Sequence, residues 1–282
     1  SGTGGTHLEA PGMNLQGHSV WVIGAGFLGA ALAETCRGEG ARVLTIDPAA
    51  VANLRGSAGD ASLLRHALQR LVPDMVFCCA ATHGGTVADY RRAYLEPVEK
   101  LVALLSGVRV VFCSSTSVYA GQGGETVTED TLPRAVSERA QILLQAEAVV
   151  LQGGGVVARL APLYGPGRCE LLRRFFKALP GLPGGAGRRL NYLHRDDAVQ
   201  ALLLLGTQPW LQEGLFNVSG ESFTRSSIYG LLEAAFHIEA EQEAAGPSAR
   251  GVSDMHVDCS RLRALGWSPQ RSILAFAHEW IS

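Results

Sequence analysis

Between Ser19 and Asp47 the chain reads SVWVIGAGFLGAALAETCRGEGARVLTID. An apolar run, SVWVIG, enters a loop with glycines at positions 24, 26 and 29 and opens into a segment where Leu28, Ala31, Leu32 and Cys36 recur at helical spacing. A second apolar run, RVLTID, ends in Asp47. Few backbones satisfy strand, glycine loop, helix, strand and terminal acid in that order. Gly24 suits a tight turn, Gly26 lets the backbone approach a ligand, and Gly29 lets helix and strand pack closely.

The amides exposed at the start of such a helix, with its dipole, favour a diphosphate. Gly24, Gly26, Phe27, Leu28 and Gly29 form the expected cradle. Asp47 is expected to accept hydrogen bonds from an adenosine ribose diol. Its charge opposes a 2′-phosphate, so NAD is expected over NADP, with Arg55 nearby in sequence as a partial counterweight. Asp60, in GDASLL, has two readings: contact with an adenine edge, or the N-cap of the helix that follows. Ala80, Ala81 and Thr82 end the run DMVFCCAAT, where small residues leave room for a cofactor across a sheet edge.

Further along, SLLRHALQRLV reads as helix, DMVFCCAA as strand, and ADYRRAYLEPVEKLVALL as helix disturbed at Pro97. VRVVFCSS is a strand, AVSERAQILLQAEAVVLQ a helix and GVVARLAPLYG a further strand. Buried apolar strands alternating with helices indicate a parallel sheet covered on both faces. After Gly165 come a helix, a Gly/Pro-rich loop, the helix RDDAVQALLLLG, the short strand LFNVSG and the helix TRSSIYGLLEAAF. The expected fold is α/β, a Rossmann-type doubly wound parallel sheet with a smaller, interleaved C-terminal substrate lobe. The dinucleotide-binding domain is expected over 13–165 and the lobe mostly over 166–282, with segments near 190–220 returning to the main domain. Residues 1–12 read as a cloning scar.

The 282 residues carry a net charge of −2, which offers no basic field for nucleic acid and no polybasic patch for a membrane. No apolar stretch reaches the roughly 20 residues of a spanning helix. The six cysteines, Cys36, Cys78, Cys79, Cys113, Cys169 and Cys259, show no metal-binding spacing and are expected as buried, reduced thiols of a cytoplasmic protein. No metal is expected.

The pieces VIGAGFLG, PDMVFCCAA, VVFCSSTSVYAG, RLAPLYGPGR, NYLHRDDAVQALLLL, GLFNVSG and LRALGWSPQRSI occur in that order. With them the chain, from about Ser19 onward, resembles the extended short-chain dehydrogenase/reductase superfamily, in its NAD-dependent epimerase/dehydratase group, and its atypical members most closely. The resemblance implies that Ser115, three residues before Val118, polarises a substrate oxygen. It also implies a YxxxK pair on the next helix, whose Tyr handles a proton while its Lys holds the nicotinamide ribose and lowers the phenol's pKa. Here Ser137 stands at the Tyr position and Gln141 at the Lys position. Gln141 keeps a hydrogen bond to the ribose available but brings no charge. Sugar-nucleotide members carry Asn where this chain has Pro162, which weakens a nucleotide-sugar reading.

Ser114 and Pro162 complete the expected cofactor contacts, and Thr116, Tyr164, Arg168, Asn191 and Tyr192 the expected substrate contacts. Arg168 is the residue suited to a substrate anion. For the missing proton partner the candidates are His194, His83 and Tyr119, while Asp196 and Asp197 are expected to cap the helix after them. Two functions stand side by side. One is an oxidoreductase or epimerase/dehydratase-like enzyme that acts on a small polar substrate, sugar-like or hydroxy/keto, without the Tyr-Lys pair. The other is a dinucleotide-binding sensor or scaffold without catalysis. Leu101, Leu104, Leu105, Leu143 and Leu144 suit either a core or a homodimer interface.

Overall fold

The computed structural model describes residues 15–281 except 50, 83, 122, 135, 178, 180, 209, 210, 212, 213 and 239–252. Positions 1–12 and His83 therefore lie outside the described residues.

The first half runs β1 (Ser19–Ile23), α1 (Phe27–Gly38), β2 (Arg42–Asp47), β3 (Leu54–Arg55), α2 (Ala61–Arg70), β4 (Met75–Cys78), α3 (Val87–Tyr90), a wide π-turn (Arg91–Leu95), α4 (Glu96–Leu104) and β5 (Arg109–Ser115). A 3-10 turn (Thr116–Tyr119), β6 (Glu125–Val127), α5 (Glu138–Gln152), β7 (Val156–Leu160) and β8 (Leu163–Tyr164) follow. The chain ends with α6 (Glu170–Phe176), β9 (Arg189–His194), α7 (Arg195–Thr207), β10 (Gly214–Val218), β11 (Glu221–Thr224), α8 (Arg225–Phe236), β12 (Met255–Val257), α9 (Ser260–Arg263) and α10 (Ile273–Ile281).

Seven strands form one parallel sheet in the order β10-β7-β5-β4-β1-β2-β3. Successive strand residues enter opposite cores, as a sheet covered on both faces requires. Val20 and Val22 join the layer under α1 and α7, while Trp21 and Ile23 join the layer under α2, α4 and α5. Leu101, Leu105 and Leu143 belong to that second core, while Leu104 and Leu144 pack against it and stay partly exposed.

GVVARLAPLYG is not one strand. β7 stays in the large sheet, and beyond Ala161 and Pro162 β8 joins a smaller sheet ordered β11-β9-β8. Pro162 has no N–H for the ladder, but its carbonyl accepts from Leu193 N at 3.0 Å, which turns the chain toward β9. The smaller lobe has its own core, with Tyr164, Leu172, Phe175, Ile228, Tyr229 and Phe276. β10 then returns to the edge of the large sheet. The disturbance expected at Pro97 is the π-turn immediately before α4. A proline ring clashes with the carbonyl four residues back in a regular helix, and a wider turn relieves that contact.

Candidate active site

The carboxyl ends of β1, β2, β4, β5 and β7 open on one cleft of about 610 Å³, where ligands of open α/β sheets bind. Its floor is the glycine loop. Gly24 has φ +91°, and a β-carbon there would lie 2.5 Å from Ala80 N. A β-carbon at Gly29 would lie 1.8 Å from Gly24 O, so glycine is what lets α1 start against β1. At Gly26 an added β-carbon meets no atom within 4 Å, and the residue lines the cleft. No side chain caps α1 at Gly26. Asp47 accepts from Ala25 N through Oδ2 and from Ala49 N through Oδ1, each at 2.7 Å, bracing the loop from the end of β2. An uncapped helix start with an open approach over Gly26 fits a diphosphate, and Asp47 at the cleft wall fits a ribose diol. Phe27, Leu28, Ala80, Ala81 and Pro162 also line this space.

At the end of β5 the four hydroxyls separate. Ser114 is buried and donates its hydroxyl to Glu147 on α5, away from a ligand, although the residue borders the cleft. Ser115 also borders the cleft, and its Oγ accepts from Ser117 N at 3.2 Å, capping the 3-10 turn. Thr116 is buried and donates to Leu160 O at 3.4 Å. Tyr119 is 2% exposed and donates to Asn217 Oδ1 at 2.7 Å, with the Arg159 guanidinium 4.8 Å above its ring. Burial pushes its phenol pKa up, against the opposing pull of Arg159.

Several expected residues do not line this cleft. His194 is buried, and its Nδ1 accepts from Asp196 N at 3.1 Å as the N-cap of α7. The cap expected of Asp196 and Asp197 is therefore made by His194. Asp197 instead accepts from Gln270 N and Arg271 N, tying down the C-terminal segment. Burial lowers the His194 pKa. Tyr164 is buried in the smaller lobe and Tyr192 packs edge-on against it, the ring centroids 6.2 Å apart; burial pushes both phenols up. Asn191 donates to Met255 O and accepts from Val257 N, holding β12. Asp60 caps α2, accepting from Ser62 N at 2.8 Å. Thr82 Oγ1 is buried without a hydrogen-bond partner among the described residues, and Thr82 N donates to Tyr94 OH at 3.1 Å. Gln141 is exposed on α5, and Ser137 caps that helix by accepting from Ala140 N.

Two phenols that sequence reasoning passed over do line the cleft: Tyr90 and Tyr94, with ring centroids 5.2 Å apart. The Arg139 guanidinium of α5 stands 5.6 Å from the Tyr90 ring centroid. The Tyr90 hydroxyl has no hydrogen-bond partner among the described residues. Their spacing of four in DYRRAY was the available signal, since it puts both on one helical face. Arg168 also borders the cleft, 5.1 Å from the Phe27 ring centroid. Cys79 and Cys113 lie side by side at its base, Sγ to Sγ 3.7 Å. All six cysteines are free and buried. Among the described residues no group could hold a metal, and no helix is long and apolar enough to cross a membrane.

The whole fold has solved counterparts. MoeE5 in complex with UDP-glucose and NAD is 24% identical with a TM-score of 0.78, covering 93% of this chain and 98% of its own. UDP-glucose 4-epimerase of Thermotoga maritima, solved with UDP-glucose, is 18% identical with a TM-score of 0.75, over 94% and 100% of the two chains. UDP-glucuronic acid 4-epimerase of Bacillus cereus, solved with UDP-glucuronic acid and NAD, is 20% identical with a TM-score of 0.75, over 92% and 96%. No curated protein matches the sequence significantly. Residues 20–219 match the NAD dependent epimerase/dehydratase family, and it is to this family that the chain belongs.

Proposed function

We propose that the protein binds NAD in this cleft and uses it on a small polar substrate, sugar-like or a hydroxy/keto compound, without a Tyr-Lys pair. The observation that carries this reading is that the glycine loop, Asp47 and Ser115 border one continuous space. The backbone of Gly24–Leu28 would hold the diphosphate and Asp47 the adenosine ribose. When bound, NAD supplies the hydride acceptor or donor. Ser115 hydrogen-bonds the substrate oxygen with its otherwise weakly engaged hydroxyl. Tyr90 moves the proton: it borders the cleft, its hydroxyl has no hydrogen-bond partner among the described residues, and the Arg139 guanidinium stands 5.6 Å from its ring centroid. UDP-glucose and UDP-glucuronic acid in complexes of structurally similar proteins favour a sugar-type substrate.

The competing reading, a dinucleotide-binding sensor or scaffold, draws support from α5. Its Ser137 oxygen is taken by a cap, and Gln141 carries no charge. Titration of purified protein with NADH and NADPH separately, followed by nicotinamide fluorescence and thermal stability, tests the shared part. Tighter binding of NADH is expected, and binding of neither would sink both readings. Turnover of a sugar or hydroxy-acid substrate that Ser115→Ala abolishes, with NAD affinity retained, separates the enzyme from the sensor.

A further inference from the structure

Pro166, Gly167 and Arg168 follow the smaller-lobe strand β8 on a tight turn built against the glycine loop. Gly165 N donates to Arg168 O and Arg168 N to Gly165 O, both at 2.9 Å, so the turn closes on itself. Gly167 has φ +72°, a conformation glycine adopts without strain. At Gly165 an added β-carbon would lie 3.2 Å from Phe27 Cζ and 3.2 Å from Arg195 Cβ. The turn is thus pressed directly on the side chain of a glycine-loop residue.

Two cations meet at that ring. The Arg168 guanidinium lies 5.1 Å and the Arg195 guanidinium 5.4 Å from the Phe27 centroid. Their circumstances differ. Arg195 is ion-paired to Asp196 at 3.1 Å. Arg168 is exposed and borders the cleft, with no ion pair among the described residues, and its guanidinium rests on the aromatic face. A guanidinium on an aromatic ring keeps most of its donors free, and its planar fork matches phosphate oxygens.

We infer that Arg168 is a diphosphate clamp, parked on Phe27 and reaching across the glycine loop to a diphosphate seated on the start of α1. The idea rests on the dinucleotide reading above. A diphosphate could come from the dinucleotide or from a nucleotide-sugar. Contact with Phe27, a member of the glycine loop, assigns it to the dinucleotide. The clamp would join the smaller lobe to the nucleotide site through one charged side chain, so a bound dinucleotide would bridge the two cores.

The test is calorimetric titration of NAD, ADP, adenosine and UDP into the wild-type protein and into Arg168→Gln, Arg168→Lys and Arg195→Gln. Arg168→Gln is expected to weaken NAD and ADP about tenfold, to leave adenosine unchanged and to flatten the salt dependence of NAD binding. Arg168→Lys should recover part of the loss, and Arg195→Gln should stay within about twofold of wild type because its charge is already paired. Because Arg168 is exposed, its variants should melt with the wild type. Equal losses in Arg168→Gln and Arg195→Gln would reduce the effect to a general positive field and overturn the clamp. A loss confined to UDP would overturn its assignment to the dinucleotide. Wild-type binding of NAD that Arg168→Gln leaves unchanged overturns the clamp alone, whereas wild-type failure to bind NAD or ADP removes the dinucleotide reading itself.

Discussion

Ser114 donates its hydroxyl to Glu147 Oε1 at 2.5 Å, one residue before the serine that faces the cleft. The same carboxylate takes Arg159 through Nε at 3.0 Å and Nη2 at 2.6 Å, and both charged side chains are 4% exposed. Arg159 in turn covers the ring of Tyr119, which hydrogen-bonds Asn217 on the edge strand β10. A buried polar network thus anchors the end of β5 from behind and holds the 3-10 turn that aims Ser115.

Removing one partner of this pair leaves the other charge buried without compensation. Glu147→Gln is expected to destabilise the protein by about 3 kcal/mol, read by urea unfolding. Retention of wild-type stability would mean that water reaches Arg159.

Glycine positions in the loop should separate folding from binding. Gly24→Ala places a methyl 2.5 Å from the backbone of Ala80 at φ +91°, and is expected to lower stability by at least about 1 kcal/mol. The β-carbon of Gly26→Val meets open space, so its thermal midpoint should fall by no more than a few degrees, the cost of a poorer N-cap, while NADH affinity falls at least about tenfold. Parallel melting and fluorescence titrations check both, and an unimpaired NADH affinity in Gly26→Val would place the dinucleotide elsewhere.

Asp47 braces the loop, and under the proposed function its charge disfavours a 2′-phosphate. Asp47→Ala should weaken NADH about tenfold and narrow its advantage over NADPH. A variant that keeps full NADH preference would show that the discrimination lies in other residues.

Phenols inside and outside the cleft should behave differently. Tyr90→Phe is expected to reduce turnover at least about a hundredfold while leaving NADH affinity within about twofold. Tyr119→Phe, which strands a buried Asn217 oxygen, should instead lower stability by about 1 to 2 kcal/mol. Equal turnover in Tyr90→Phe and wild type would remove Tyr90 from the proton path.

His194 supplies the pH dependence. Its burial lowers the pKa from the ordinary 6.5, so the unfolded chain binds the extra proton more readily than the folded one. Its contribution is therefore complete above pH 6.5 and is lost as pH falls from there toward the lower folded pKa. Protonation also removes the lone pair that accepts from Asp196 N. Thermal midpoints should drop on acidification through that window, and His194→Asn, another good N-cap, should flatten the change. Asp197, whose carboxyl burial pushes upward, acts in the opposite sense: its raised pKa favours folding at low pH. The difference between variant and wild type isolates the histidine.

The sheet, the glycine loop and the place of Asp47 at the end of β2 were legible from the sequence because they rest on local rules: alternation along strands, 3.6-residue spacing on helices and the φ demanded at Gly24. The break between β7 and β8 was not, since Pro162 marks a stop without saying which sheet takes the next residues. The chemistry of the hydroxyl run also needed the tertiary structure. Ser114 through Ser117 are four small polar residues in a row, and only partners far along the chain, Glu147 and Leu160, draw Ser114 and Thr116 inward. The same holds for Tyr119, whose hydroxyl goes to Asn217, and for His194, whose Nδ1 is taken by the start of α7, while Tyr90 comes to the cleft because α3 packs beside α5. A residue's type names the chemistry it can do, but packing decides whether its lone pair or proton faces a ligand or another part of the protein.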